Sequence, residues 1–193
     1  MKNSFILLTL FASLSLVGCK KNDENVSPIE SPVTTLLKDT ATVKMGQRSS
    51  GPWELGLVFS ASVPGKISQI GSRMPQPGSY RILIWDFDTR VLLRQKTVEQ
   101  STPGAITMAN LDEALPVLAD KKYVISINTQ SAGVNKPYYY VYKATGSFLP
   151  VSKGNILLIS AMYTGASTAT FPSTTSNVSN EFYGIADFSF IPD

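Results

Sequence analysis

Short runs in which apolar and polar residues alternate, cut apart by proline and glycine, restrict this chain to sheet structure. Trp53, Leu55, Leu57 and Phe59 alternate with Glu54, Gly56, Val58 and Ser60, the period of a strand with one buried face. Further strands are expected at 66–74, 79–87, 91–98, 105–109, 123–129, 138–143, 156–163 and 182–190, making nine in all. Residues 79–87 are apolar on both faces, with Tyr80, Ile82 and Ile84 on one and Leu83, Trp85 and Phe87 on the other. Such a strand belongs at the centre of a packed sheet. Turn chemistry separates the runs at Val63-Pro64-Gly65, Pro75-Gln76-Pro77-Gly78, Thr102-Pro103-Gly104 and Lys153-Gly154-Asn155. One segment, 110–115, reads as helical, with Asn110 as its N-cap and Pro116 ending it. The expected fold is all-β, an antiparallel β-sandwich of jelly-roll-like type.

The N-terminus carries an address. Lys2 precedes an apolar run at 5–16, and Leu16-Val17-Gly18-Cys19 closes it. A run of twelve residues is too short to span a bilayer, which takes about 20 in a helix. The run reads as a leader peptide over 1–18, and its last four residues resemble the lipobox of bacterial lipoprotein signals. That resemblance implies that Cys19 becomes the lipidated N-terminus of the mature protein. Two or three acyl chains there would make attachment to the membrane stable.

Removal of 1–18 leaves 175 residues with sixteen basic against fourteen acidic side chains, a balance without a basic cluster, so nucleic acid is not an expected partner. The chain has no histidine and one cysteine, Cys19. Lipidation of that cysteine excludes disulfides, Cys/His metal centres and histidine-dependent triads, and no cofactor is expected.

Residues 19–49 read as the lipidated cysteine and a flexible tether, on the order of 30 Å long for a random coil, with a possible edge strand within 33–45. Its charged run, Lys20-Lys21-Asn22-Asp23-Glu24, resembles the acidic export tags of Bacteroidetes surface lipoproteins. The sandwich is expected to occupy 50–193.

Glu54-Leu55-Gly56-Leu57-Val58-Phe59, then Gly65-Lys66-Ile67-Ser68-Gln69-Ile70, Ile82-Leu83-Ile84-Trp85, Leu118-Ala119-Asp120-Lys121-Lys122-Tyr123-Val124-Ile125-Ser126 and Phe171-Pro172 follow one another in the order of a known family. Together they resemble a bacterial extracellular β-sandwich domain of unknown function, over residues 50–192. The resemblance implies a surface location and association with carbohydrate-active or cell-surface proteins, but it transfers no catalytic residue. The chain departs from the family pattern at Lys121 or Lys122, where a glycine is common, and at Gly184 and Ile185, where a tryptophan is often found.

The candidate ligand-binding residues are Trp85, Tyr138, Tyr140 and Tyr142. In an extended strand the three tyrosines share one face, with neighbouring rings about 7 Å apart. They could stack sugar rings and hydrogen-bond hydroxyls, or they could be half-buried strand residues. Trp53 shares a face with Leu55, Leu57 and Phe59 and is expected in the core. Asp86 and Asp88 are a weak candidate Ca²⁺ site, since a hairpin turn at Asp88-Thr89 accounts for them better. A carboxylate-based glycoside hydrolase would draw on Glu54, Asp86, Asp88, Glu181 or Asp187, with no spacing that selects a pair. The expected function is non-catalytic: a lipid-anchored outer-membrane module binding glycan, or alternatively an adhesive module binding another surface protein.

Overall fold

A computed structural model describes residues 28–131 and 133–193. The lipobox residues Leu16 to Cys19 and the charged run after them lie outside the described residues. Within these bounds the chain forms one short helix and thirteen strands. The helix is α1 (Pro32–Leu37), and the strands begin with β1 (Val43–Arg48), β2 (Trp53–Ala61), β3 (Gly65–Ser72), β4 (Gly78–Asp86) and β5 (Leu92–Gln100). They continue with β6 (Thr107–Val117), β7 (Lys122–Asn128), β8 (Tyr138–Lys143), β9 (Val151–Lys153) and β10 (Ile156–Gly165). The last are β11 (Thr174–Thr175), β12 (Glu181–Tyr183) and β13 (Ala186–Pro192).

The large sheet runs β11-β10-β2-β7-β4-β5, with β9 paired to β10; a second sheet is β13-β3-β6 and a third β1-β8-β12. Every strand pair is antiparallel, and the sheets pack on one another as the expected sandwich, not as a closed barrel. The main core lies between them. Leu55, Leu57 and Phe59 from β2 and Ile82 and Ile84 from β4 meet Ile67, Ile70, Phe188 and Phe190 from the facing sheet. Phe59 and Phe188 rings lie 4.4 Å apart.

The other face of the large sheet is buried as well. Val58, Leu83, Trp85, Val124 and Met162 form a second cluster, covered by Phe171. This is why β4 is apolar on both sides, as its sequence implies.

Three expectations are corrected. Residues 110–115 are not helical but belong to β6, where Asn110 accepts a hydrogen bond from Gln69 instead of capping a helix. Pairing with β3 wins, and the helix-like residues form an irregularity in that ladder. Leu111 and Leu115 turn inward, while Asp112 and Glu113 pair with Lys96 and Arg94 of β5. Second, 182–190 is two strands. Gly184 adopts a left-handed φ of +66°, and a Cβ there would come within 2.6 Å of Ile127. The chain turns at the residue that tolerates this.

Third, the region from Glu30 to Arg48 is part of the domain, not tether. Glu30 exchanges backbone hydrogen bonds with Phe190, and its carboxylate accepts from the backbone N–H and side-chain amide of Asn155. The possible edge strand within 33–45 is found in part: 32–37 form a helix, but β1, from Val43, is an edge strand of the β1-β8-β12 sheet. Pro32, Val33 and Leu36 of α1 are buried. Ser31, at the N-cap, makes no side-chain cap bond. The acceptor comes from Asp187 in β13, whose carboxylate oxygens take the N–H groups of Val33 at 3.1 Å and Thr34 at 2.7 Å. These are among the donors a helix start leaves free.

Asp187→Ala should therefore lower unfolding free energy by about 2–4 kcal/mol, since one buried and one part-buried helix donor and the Phe188 N–H lose their acceptor. Equilibrium urea denaturation of the full chain measures this. A midpoint equal to wild type would show that water replaces the carboxylate at no cost.

Candidate functional site

The register of the small sheet places the tyrosines. Antiparallel pairing sets Tyr138 opposite Arg48, Tyr140 opposite Gly46 and Tyr142 opposite Lys44, and on the other side Tyr183 opposite Tyr140 and Glu181 opposite Tyr142. Directly paired residues share a face. Tyr138, Tyr140 and Tyr142 thus line one side with Arg48, Glu181 and Tyr183, while Val141 on the opposite side is fully buried.

Tyr140 and Tyr142 stack at 5.4 Å between centroids. The Arg48 guanidinium lies 4.3 Å from the Tyr140 ring centroid and 5.2 Å from that of Tyr183, within the range of cation–π attraction. Arg48 also pairs with Glu181 at 3.3 Å, and the Tyr183 hydroxyl donates to the same carboxylate. Burial, followed by that carboxylate, raises the Tyr183 pKa, so its hydroxyl stays protonated and donating. Gly46 makes the arrangement possible. A Cβ there would fall 2.5 Å from the Tyr140 ring, which lies directly across the glycine backbone.

Tyr138 is buried, with its hydroxyl 3.0 Å from Ser50 Oγ, and the same Ser50 oxygen accepts from Trp53 Nε1 at 3.2 Å. Trp53 meets Tyr163 edge to face at 6.0 Å, and Tyr163 meets Tyr183 likewise at 6.3 Å. These rings, with Arg48, Ser50 and Asn177, wall a cleft of about 200 Å³ where the small sheet abuts the end of β2 and β10. The tyrosine strip continues from it along β8.

Sequence reasoning missed Arg48, Ser50, Tyr163 and Tyr183, and favoured the core over a stacking role for Trp53, which packs against the core while lining the cleft. Arg48 falls at the end of the expected tether and Ser50 at the first residue of the expected sandwich, and Tyr163 and Tyr183 are single aromatics in ordinary strands. Only pairing brings them together.

Trp85 is elsewhere. It lies under the edge of Phe171 at 5.9 Å, is 6 % exposed, and donates from Nε1 to Ser126 Oγ at 2.9 Å. It has no free ring face at the surface. Ser126 in turn donates to Glu54 at 2.6 Å, and Asn128 donates to the other Glu54 oxygen at 3.0 Å and to the carbonyl oxygens of Ala166 and Thr168. Glu54 is fully buried in this network, and burial pushes its pKa up to about 7 against the pull of its hydrogen-bond donors.

Asp86 closes the β4–β5 turn. Its Oδ1 accepts from the N–H groups of Asp88 and Thr89, and its Oδ2 pairs with Lys121 at 2.6 Å. Lys121, followed by the Thr89 N–H, holds its pKa at about 2. Asp86 and Asp88 are thus joined as turn residues, with the Asp86 oxygens already engaged. Asp187 is spent on α1, and burial raises its pKa despite its backbone donors. No group of three or more acidic, histidine or cysteine residues able to hold a metal occurs among the described residues.

Glu54 gives stability a definite pH dependence. Its folded pKa of about 7 exceeds the ordinary 4.5, so its contribution is complete below pH 4.5 and is lost as pH rises through 7. The loss is about 3 kcal/mol. Asp86 acts oppositely, losing its contribution only as pH falls through about 2, outside this window. Glu54→Gln should flatten the decline in unfolding free energy between pH 5 and pH 8; the same decline in the variant would locate its cause in another group.

A family model described as Domain of unknown function (DUF4082) matches residues 39–183. The match starts before β1 and ends with β12, so it contains every cleft residue named above but neither α1 nor β13. Comparison with curated proteins gave no match. With about three quarters of its length matched, the chain belongs to the DUF4082 domain family.

Proposed function

We propose that this chain is a lipid-anchored envelope protein whose sandwich binds carbohydrate, without catalysis, at the cleft of Trp53, Tyr138, Tyr163 and Tyr183 and along the Tyr140–Tyr142 strip. The observation that carries the reading is the cleft itself: flat aromatic rings interleaved with Arg48, Ser50 and Asn177. Sugar C–H faces pack on aromatic rings while hydroxyls need donors and acceptors at the edges, and tyrosine and tryptophan supply both. A volume near 200 Å³ suits one sugar ring, with further residues of the glycan passing over Tyr140 and Tyr142. Relative to the sequence expectation, Trp85 gives way to Trp53, and Tyr163 and Tyr183 join the binding residues.

Orientation supports display. Glu30, near the start of the described chain, is clamped to Asn155 beside the first residue of β10, whereas Trp53 pairs with Gly165 at the last. Ten extended residues separate these ends by roughly 30 Å. A domain tethered through Cys19 would then hold the cleft on the side away from its anchor. Individually weak contacts gain avidity when many copies share one membrane.

Two measurements test this. In glycan-array and polysaccharide pull-down assays with the full chain, Trp53→Ala and Tyr140→Ala should each weaken binding about tenfold or more while leaving the thermal midpoint within a few degrees. A folded sample that binds no glycan would refute the function, and retained binding by both variants would refute the site. For the anchor, Cys19→Ala should abolish labelling by radioactive palmitate and release the protein from the membrane fraction; continued labelling would overturn lipidation.

A further inference from the structure

Buried polar atoms in this fold are otherwise well satisfied. Gln100 accepts from Ser72 and Met74 and donates to the carbonyls of Met74 and Thr102, and Glu54, Asn128 and Asp187 are bonded as described. Among the described residues, the buried side-chain nitrogens and oxygens without a partner are Nε and Nη2 of Arg81. Two unpaired donors on a charged group are costly to bury. Arg81 lies on the outer face of the large sheet, in step with Leu83 and Trp85 and directly opposite Thr97 of β5. Its backbone N–H donates to Ser131. Its side chain borders an opening of about 490 Å³, with Gln95, Lys96 and Thr97 on the other sides.

The charges nearby are already engaged. Lys96 is tied to Asp112, the Glu99 carboxylate accepts from Ser79, and Glu54 is occupied by Ser126 and Asn128. Arg81, half-buried as a residue, is left with buried, unpaired guanidinium donors, flanked by the exposed neutral side chains of Gln95 and Thr97. A guanidinium fork matches a planar carboxylate with two parallel hydrogen bonds.

We propose that Arg81 is the anion-binding residue of a second ligand subsite on this face, taking the carboxylate of an acidic sugar such as a uronic acid, with Gln95 and Thr97 meeting its hydroxyls. The exposed Gln95 and Thr97 side chains move aside as the carboxylate reaches Nε and Nη2. Only the sugar identity rests on the carbohydrate reading; the anion site stands on Arg81 itself.

Amide NMR titration of the full chain with glucuronate, glucose and acetate tests the assignment. Glucuronate should bind saturably, shift the amides of Arg81, Thr97 and Ser131, and weaken as salt is raised. Arg81→Gln should reduce its affinity about tenfold or more. Gln95→Glu, which leaves Arg81 in place but sets a competing carboxylate beside it, should do the same in a folded protein. Equal binding of glucose and glucuronate, or no effect of either substitution, would overturn the subsite, and acetate binding as tightly as glucuronate would overturn the sugar. Trp53→Ala should leave the glucuronate-induced shifts at Arg81, Thr97 and Ser131 intact, so failure at the aromatic cleft and failure at Arg81 are read separately.

Discussion

Asp187 joins the two ends of the described chain, and the aromatic site depends on that junction. Its carboxylate, wholly buried on the last strand, accepts the free N–H groups of the only helix among the described residues. The helix is too short to persist alone, and Ser31 does not cap it. Held there, α1 buries Val33 and Leu36 and delivers the chain to β1. From β1 come Gly46, on which Tyr140 lies, and Arg48, which links Tyr140 to Tyr183. A carboxylate far from the cleft thus sets where one wall of it stands.

A second constraint is that the large sheet cannot leave its outer face in water. Val58, Leu83, Val124 and Met162 are apolar on that side, and residues 166–172 fold over them, with Phe171 on Trp85 and Pro172 against Gly56. Covering this face buries Glu54, and Asn128 fastens the covering segment through its carbonyl groups. The same event removes Trp85 from any surface role. Beyond the cover, the face becomes polar at Arg81, where burial without partners leaves binding capacity.

Much of the sandwich was legible because period-two alternation is a local signal. The strand at 53–61 carries it, the one at 78–86 is marked by apolar residues on both faces, and the shared face of Tyr138, Tyr140 and Tyr142 needs nothing beyond strand geometry. The errors occur where local preference was weak and pairing decided. Asn110 to Leu115 carries helix-like chemistry, yet β3 offers a ladder that a helix would forfeit. Residues 30–48 are polar enough to read as a spacer, because their few apolar side chains, Val33, Leu36 and Val43, are widely separated and act only against a surface supplied by distant strands.

By itself the sequence determined the all-β class, the burial of β4 on both faces, the lack of any histidine side chain and the tyrosine-rich face of β8. Each follows from composition or from spacing over a few residues. Tertiary structure alone decided that Trp53 lines a cleft while Trp85 is buried, that Arg48 joins Tyr183, that Asp187 caps a helix and that Arg81 keeps unpaired donors. Those outcomes rest on contacts between residues tens to more than a hundred positions apart, where burial and hydrogen-bond partners are set by packing that no local pattern encodes.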